Sequence, residues 1–169
     1  MKVLGIIGWS GSGKTALLTA VLPLLRRAGL CVSTVKHTHH EFDMDRPGKD
    51  SFRHRQAGAH EVLIASGMRW ALLHEVEGPE PALAKLLEKL EPVDLVLVEG
   101  YKTHPFPKLE VNRPSLGKPP IWTHTADVIA VASDADLDVG QRTLLPLNQP
   151  EVVAVWIMMW ISDTNRNSP

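Results

Sequence analysis

Hydrophobic and polar positions along this chain alternate between strand-like and helix-like blocks. Lys2-Val3-Leu4-Gly5-Ile6-Ile7 predicts a first strand, and the apolar spacing that begins at Thr15 predicts a helix from Lys14 to about Ala28. Gly29 closes that helix as a natural C-cap residue. A second strand is expected over Cys31 to Val35. After a polar loop, a short helix begins near Asp50 or Ser51, either of which can cap it. Glu61 to Ala65 and Arg69 to His74, parted by Ser66-Gly67-Met68, predict an antiparallel hairpin, which would make the sheet mixed.

Leu83, Leu86, Leu87 and Leu90 fall on one face of a helix expected within Pro79 to Leu90, with Lys85 and Glu88 pointing outward. Asp94-Leu95-Val96-Leu97-Val98-Glu99-Gly100 has the unbroken apolar run of a strand buried on both faces, ending in a carboxylate and a glycine. Five of the 13 prolines lie between Pro105 and Pro120, so loops are expected there, interrupted by a short strand at Lys108 to Val111. A last core strand, Val128 to Ala132, ends in Ser133-Asp134. Val152 to Ile161 is apolar throughout but only about half the length needed to cross a bilayer as a helix. It reads as a helix buried in the core or covered by a subunit. The pattern as a whole predicts one α/β domain over residues 1–161, a three-layer sandwich of the phosphate-loop type with a mostly parallel sheet and an antiparallel hairpin extension, followed by a frayed polar tail over 162–169.

Composition narrows this picture. The 169 residues, 44% of them hydrophobic, suffice for one core of useful size. With 18 basic against 19 acidic residues and a net charge of -1, no global field draws the chain to nucleic acid or to an anionic membrane. Cys31, the single cysteine, can form no internal disulfide and reads as a small core residue, in keeping with a cytoplasmic protein. The apolar stretch after Lys2 is too short for a secretory signal.

The chemistry begins directly after the first strand. Gly8-Trp9-Ser10-Gly11-Ser12-Gly13-Lys14-Thr15 is a complete G-x-x-x-x-G-K-[ST] phosphate loop set between a strand and a helix. Its glycines let backbone N–H groups turn around a β-phosphate, Lys14 reaches the outer phosphate oxygens, and the Thr15 hydroxyl becomes a ligand of Mg²⁺. Glu99, at a strand end, stands where such proteins hold Mg²⁺ through water or orient an attacking water. Asp134 ends another strand and could meet the base or ribose. No Asn/Thr-Lys-x-Asp element is present, so the residues alone do not separate ATP from GTP.

Between Lys36 and His60 lie five of the eight histidines and five Lys or Arg residues, enough to surround an anion while Asp43 or Asp45 helps place a metal. A transition-metal site on His37, His39 and His40 and a merely solvated polar loop are the alternatives for this stretch.

Several blocks in order resemble one family: the GxSGSGKT loop, Lys36-His37-Thr38-His39-His40, Phe42-Asp43-x-Asp45-x-Pro47-Gly48-Lys49-Asp50-Ser51-x-Arg53, Ala57-Gly58-Ala59, and Val98-Glu99-Gly100-Tyr101-Lys102. Together they look like the MobB family of molybdopterin-guanine dinucleotide biosynthesis adaptors, over most of the chain up to about Asp134. The resemblance implies a GTP-binding protein with weak intrinsic GTPase activity and bound Mg²⁺, usually a homodimer. Its implied partners are the guanylyltransferase that attaches GMP to molybdopterin and molybdopterin or its molybdate form.

Carried over by position, Ser10, Gly11, Ser12, Gly13, Lys14, Thr15 and Ala16 would line the phosphates, with Gly100 beside them. Thr15, Asp43 and Glu99 would serve Mg²⁺. Lys36, His37, Asp43, Lys49 and Arg53 would form a switch or anion-contact segment. Lys14 and Glu99 are the expected catalytic pair, one neutralising phosphate charge and the other positioning water. Ala16 departs from the second Ser or Thr that many phosphate loops carry, and Trp156 to Trp160 is heavier than expected for the family's closing helix. The competing reading is a small-molecule kinase using ATP, its acceptor held in the 36–55 loop. The proline-rich segment after Glu99 holds only Arg113, which disfavours the arginine-bearing lid such an enzyme needs.

Overall fold

A computed structural model describes residues 1–38 and 42–166, without the side chains of 164–166. Two compact units divide the chain: Met1–His37 with Pro92–Pro169, and Thr38–Glu91.

The first unit is built on β1 (Lys2–Ile7), α1 (Lys14–Arg27), β2 (Val32–Lys36), β5 (Leu95–Glu99), β6 (Lys108–Asn112), β7 (Val128–Ser133), β8 (Thr143–Pro146) and α4 (Pro150–Arg166). Its six strands run in the order β2-β5-β1-β6-β7-β8, and every pairing is parallel. Strand residues alternate across this sheet with period two. Leu4, Ile6, Leu97, Leu109, Val111 and Ala132 face one core together with Leu17, Leu18, Val21 and Leu25 of α1 and Val153, Ala154, Ile157 and Ile161 of α4. The two helices pack on each other. The opposite face buries Ile7, Val128 and Val131 beneath Trp122 and Val139, so irregular chain rather than a long helix forms that layer in this unit.

The second unit holds α2 (Asp50–Gln56), the β3 (Glu61–Ala65) and β4 (Trp70–His74) hairpin, and the one-turn helix α3 (Leu83–Leu87). The hairpin is present where the sequence places it, but it forms a two-stranded sheet of its own and does not make the six-stranded sheet mixed. Of the leucine face expected on α3, Leu83 is buried and Leu86 and Leu87 half-buried, with Lys85 and Glu88 exposed, while the helix covers less than the expected span and leaves Leu90 beyond it. Lys49, not Asp50 or Ser51, occupies the N-cap of α2, and no side chain caps it. Ser51 Oγ instead donates to Asp45 at 2.8 Å.

In the first unit one strand is new and two expectations change. β8 has no counterpart in the sequence reading. α4 continues through Arg166, beyond the apolar block, and only one of its faces is buried: Val152, Val155 and Met159 are exposed. Cys31 is exposed rather than in the core, because it precedes β2, where its N–H donates to the Asp94 carboxylate at 2.7 Å.

Candidate functional site

The strand order sets the site. β1 is flanked by β5 on one side and β6 on the other, and the phosphate loop leaves the C-terminal end of β1 at this divide, where open α/β sheets place their ligands. Register puts Ile6 opposite Glu99 and Glu99 opposite Lys36, so the loop, Glu99 and Lys36 share one sheet edge.

The loop is shaped by close backbone approach. A Cβ at Gly8, whose φ is 150°, would lie 2.4 Å from the Val111 carbonyl and 2.6 Å from Ser12 Oγ, so no other residue fits. Ser12 Oγ is buried beneath the turn with no hydrogen-bond partner, while the Ser12 N–H donates to the Trp9 carbonyl at 3.1 Å. Gly13 is the N-cap of α1, so the N–H groups of Lys14, Thr15 and Ala16 open the helix without intrahelical acceptors, the arrangement that suits an anion. Ser10 and Gly11 are exposed at the tip of the turn.

Lys14 donates from Nζ to the carbonyls of Gly8 at 3.2 Å and Trp9 at 2.9 Å. Burial lowers its pKa; Glu99 opposes that shift, and the Lys102 and Lys36 ammoniums add to it. Thr15 Oγ1 lies 3.2 and 3.3 Å from the two Glu99 carboxylate oxygens. Lys36 Nζ stands 4.0 Å from Glu99. One hydroxyl and one carboxylate in contact form a hard oxygen set that fits Mg²⁺. Lys14, Lys36 and Lys102 against the single carboxylate of Glu99 leave a positive surplus, which fits a polyanion.

Gly100 and His37 are brought together as well. A Cβ at Gly100 would lie 2.8 Å from His37 Cβ, and the φ of 111° there independently requires glycine. The His37 ring stacks on Tyr101 with centroids 4.3 Å apart, so His37 supports the turn after β5.

Asp43, Lys49 and Arg53 belong to the second unit. There Arg55 NH2 donates to both oxygens of Asp43 at 2.9 Å, and its NH1 donates to Glu75 at 3.4 Å. The Asp45 N–H and Arg55 hold the Asp43 carboxyl below the usual carboxylate range. Lys49 and Arg53 are exposed. His39 and His40 of the suggested transition-metal site lie outside the described residues. Among the described residues no group of three or more His, Cys, Asp or Glu side chains is placed to hold a metal ion.

Two features of the site escaped the sequence reading. Arg113, which directly follows β6, donates from Nε to the Ser12 carbonyl at 3.1 Å and from NH1 to Asp134 at 2.6 Å. Asp134 is thereby tied to the phosphate loop. The Trp9 ring carries Lys102 at 4.6 Å and Lys118 at 6.0 Å, and its Nε1 donates to the Pro119 carbonyl at 2.7 Å. Position at a strand's C-terminal end is the signal that could have singled out Arg113. A roughly 420 Å³ cavity opens where β7 and β8 end, with Asp134, Asp136 and Asn148 among its lining residues.

Comparison with known proteins identifies the family. The family model described as Molybdopterin guanine dinucleotide synthesis protein B matches residues 3–134. The chain is 40% identical over 163 residues to the Molybdopterin-guanine dinucleotide biosynthesis adapter protein of Haemophilus influenzae, covering 95% of this chain and 90% of that one. It is 38% identical over 169 residues to the protein of the same name from Escherichia coli, covering 98% and 96% respectively. A crystal structure of molybdopterin-guanine biosynthesis protein B superposes with a TM-score of 0.75 at 30% identity, covering 94% of this chain and 99% of that one. With its parallel sheet, its phosphate loop and these relatives across nearly its whole length, the chain belongs to the MobB family.

Proposed function

We propose that this protein is a GTP-binding adapter in molybdopterin-guanine dinucleotide biosynthesis, assisting the guanylyltransferase that attaches GMP to molybdopterin or its molybdate form. The observation that carries the reading is the contact of Thr15 Oγ1 with Glu99 beside a complete phosphate loop, in a chain 40% identical to a relative named as such an adapter. Backbone N–H groups at the start of α1 and the Lys14 ammonium bind the phosphates. The cavity at the ends of β7 and β8 takes the base. Thr15 and Glu99 hold Mg²⁺, and Lys36, 4.0 Å from Glu99, adds positive charge at the same sheet edge. The metal, when bound, neutralises phosphate charge. Glu99 orients water, and the resulting hydrolysis is slow; Arg113, the first arginine after Glu99, has its Nε and NH1 engaged by Ser12 and Asp134.

We place the protein in the cytoplasm as a homodimer. Among the described residues no helix is long and apolar enough to cross a membrane. The hairpin face shared by Leu63, Trp70 and Leu72, which are 63%, 63% and 42% exposed, offers an apolar surface to a second copy. The test is to add the purified protein to a guanylyltransferase of this pathway with molybdopterin and Mg²⁺-GTP. Faster or more complete GMP attachment is expected, and it should vanish with Lys14→Ala. An unchanged rate at saturating adapter would contradict the proposal.

A further inference from the structure

The turn after β5 is strained and firmly held. Tyr101 has φ 50°, a left-handed conformation that is unfavourable for a bulky side chain. It is kept there by burial, by the stacked His37 ring and by the edge of His104, whose centroid is 4.7 Å away. Backbone strain retained under three separate constraints points to a turn whose direction matters. What it delivers is the Lys102 ammonium, set 4.6 Å from the centroid of the Trp9 ring.

Trp9 is an equally fixed platform. It is the second residue of the phosphate loop, its indole N–H is bonded to Pro119, and its carbonyl receives Lys14. Lys14 thus holds the main chain of Trp9 while Lys102 covers its ring, and the two ammoniums are close enough to repel. A cation resting on an aromatic face is bound more weakly than one in charge-assisted contact with a phosphate oxygen. Exchange of the first contact for the second is therefore favourable for Lys102, and Lys118 also stands near the ring, 6.0 Å from its centroid.

We propose that Lys102 is a phosphate ligand of this site, resting on Trp9 and turning onto the terminal phosphate of a nucleoside triphosphate. The start of α1 meets the inner phosphates, and Lys14 reaches outward from within the loop. Lys102 comes instead from the Glu99 side, outside that cradle, so it reads the phosphate that distinguishes a triphosphate from a diphosphate. This assignment rests on the nucleotide-binding reading above and deepens it.

The test is calorimetric titration of Mg²⁺-GTP and Mg²⁺-GDP into the wild type, Lys102→Met and Lys102→Arg. Lys102→Met should lose about tenfold or more in GTP affinity, the loss of one charge-assisted contact, and less than about twofold in GDP affinity. Lys102→Arg should restore most of the difference. An unaltered ratio of GTP to GDP affinity in Lys102→Met, with the wild type binding GTP, overturns the Lys102 assignment alone. A wild type that binds neither nucleotide sinks the nucleotide-binding reading itself. Fluorescence of the unmodified protein supplies a second readout. GTP, and not GDP, should change the part of the emission that Trp9→Phe removes, and equal responses to both would count against the proposal.

Discussion

Arg113 donates from Nε to the main-chain carbonyl of Ser12 at 3.1 Å, joining the end of β6 to the phosphate loop across 101 positions of sequence. Its NH1 is fixed by Asp134 at 2.6 Å, so one guanidinium ties three strand ends together. A loop held this way meets its ligand already shaped, and less ordering cost is left to binding.

Replacing Arg113 with Ala should therefore lower nucleotide affinity as well as stability. The side chains of Arg113 and Asp134 are 32% and 24% exposed, so their ion pair contributes only about 0–1 kcal/mol to folding. Loss of the contact to the Ser12 carbonyl should cost folding about 1.5–3 kcal/mol and leave the loop less shaped for its ligand. Arg113→Lys should not rescue it, because an ammonium cannot span both partners as the planar fork does. Denaturant unfolding and calorimetry on the same variants separate the two effects; a stability loss with unaltered affinity would make Arg113 purely structural.

Nucleotide binding should weaken at alkaline pH through Lys14. In the free protein its pKa is lowered below 10.5, chiefly by burial, and phosphate bound beside the ammonium raises it again. Between those two values binding takes up a proton, so affinity falls as pH rises through the depressed pKa. Lys14→Arg should reduce this dependence, since arginine keeps its charge. The check is GTP affinity measured from neutral pH upward for both proteins, and a wild-type affinity that does not change would contradict the linkage.

Glu99→Gln should reduce Mg²⁺ dependence and hydrolysis more than nucleotide affinity, because the amide offers one neutral oxygen where the carboxylate offers two charged ones beside Thr15. Titrating Mg²⁺ at fixed GTP reads this. Equal loss of binding and of metal dependence would mean that Glu99 only supports the loop.

Glu110 supplies a stability prediction away from the ligand. Its fully buried carboxylate accepts from the Ile121 N–H at 3.0 Å and the Trp122 N–H at 2.7 Å, pinning the segment that covers the second core. Burial raises its pKa above 4.5 even though these bonds oppose the shift. The native state therefore binds the proton more tightly than the unfolded chain. The stabilisation from this group is complete below the unfolded pKa and is lost as pH rises through the raised native value. Glu110→Ala should cost about 2–5 kcal/mol, since the N–H groups of buried Trp122 and half-buried Ile121 lose their acceptor. Unfolding free energies across the acidic range, compared with Glu110→Gln, would reveal whether this loss follows Glu110.

The phosphate loop, β1, α1 and Glu99 were legible in the sequence because each rests on local signals: a fixed glycine spacing, an apolar run, a strand-end carboxylate. β8 was not, since Thr143-Leu144-Leu145-Pro146 is too short for a period to declare itself and ends in proline. The hairpin itself was readable, but its separation from the main sheet is decided by tertiary pairing. Cys31 misled because its apolar neighbours suggest a strand interior, whereas β2 begins one residue later at a sheet edge. Arg113 and Lys102 act through partners about a hundred positions away, Ser12 and Trp9, and no window of sequence joins such pairs.

Whether the phosphate loop binds a guanine nucleotide with Mg²⁺ is decided by calorimetry of GTP and ATP side by side, with and without Mg²⁺. Mg²⁺-dependent binding of GTP in preference to ATP is expected, reduced in Lys14→Ala by about 1.5–3 kcal/mol, the size of a charge-assisted contact. Preference for ATP, or unchanged GTP binding in a folded Lys14→Ala variant, would contradict the account.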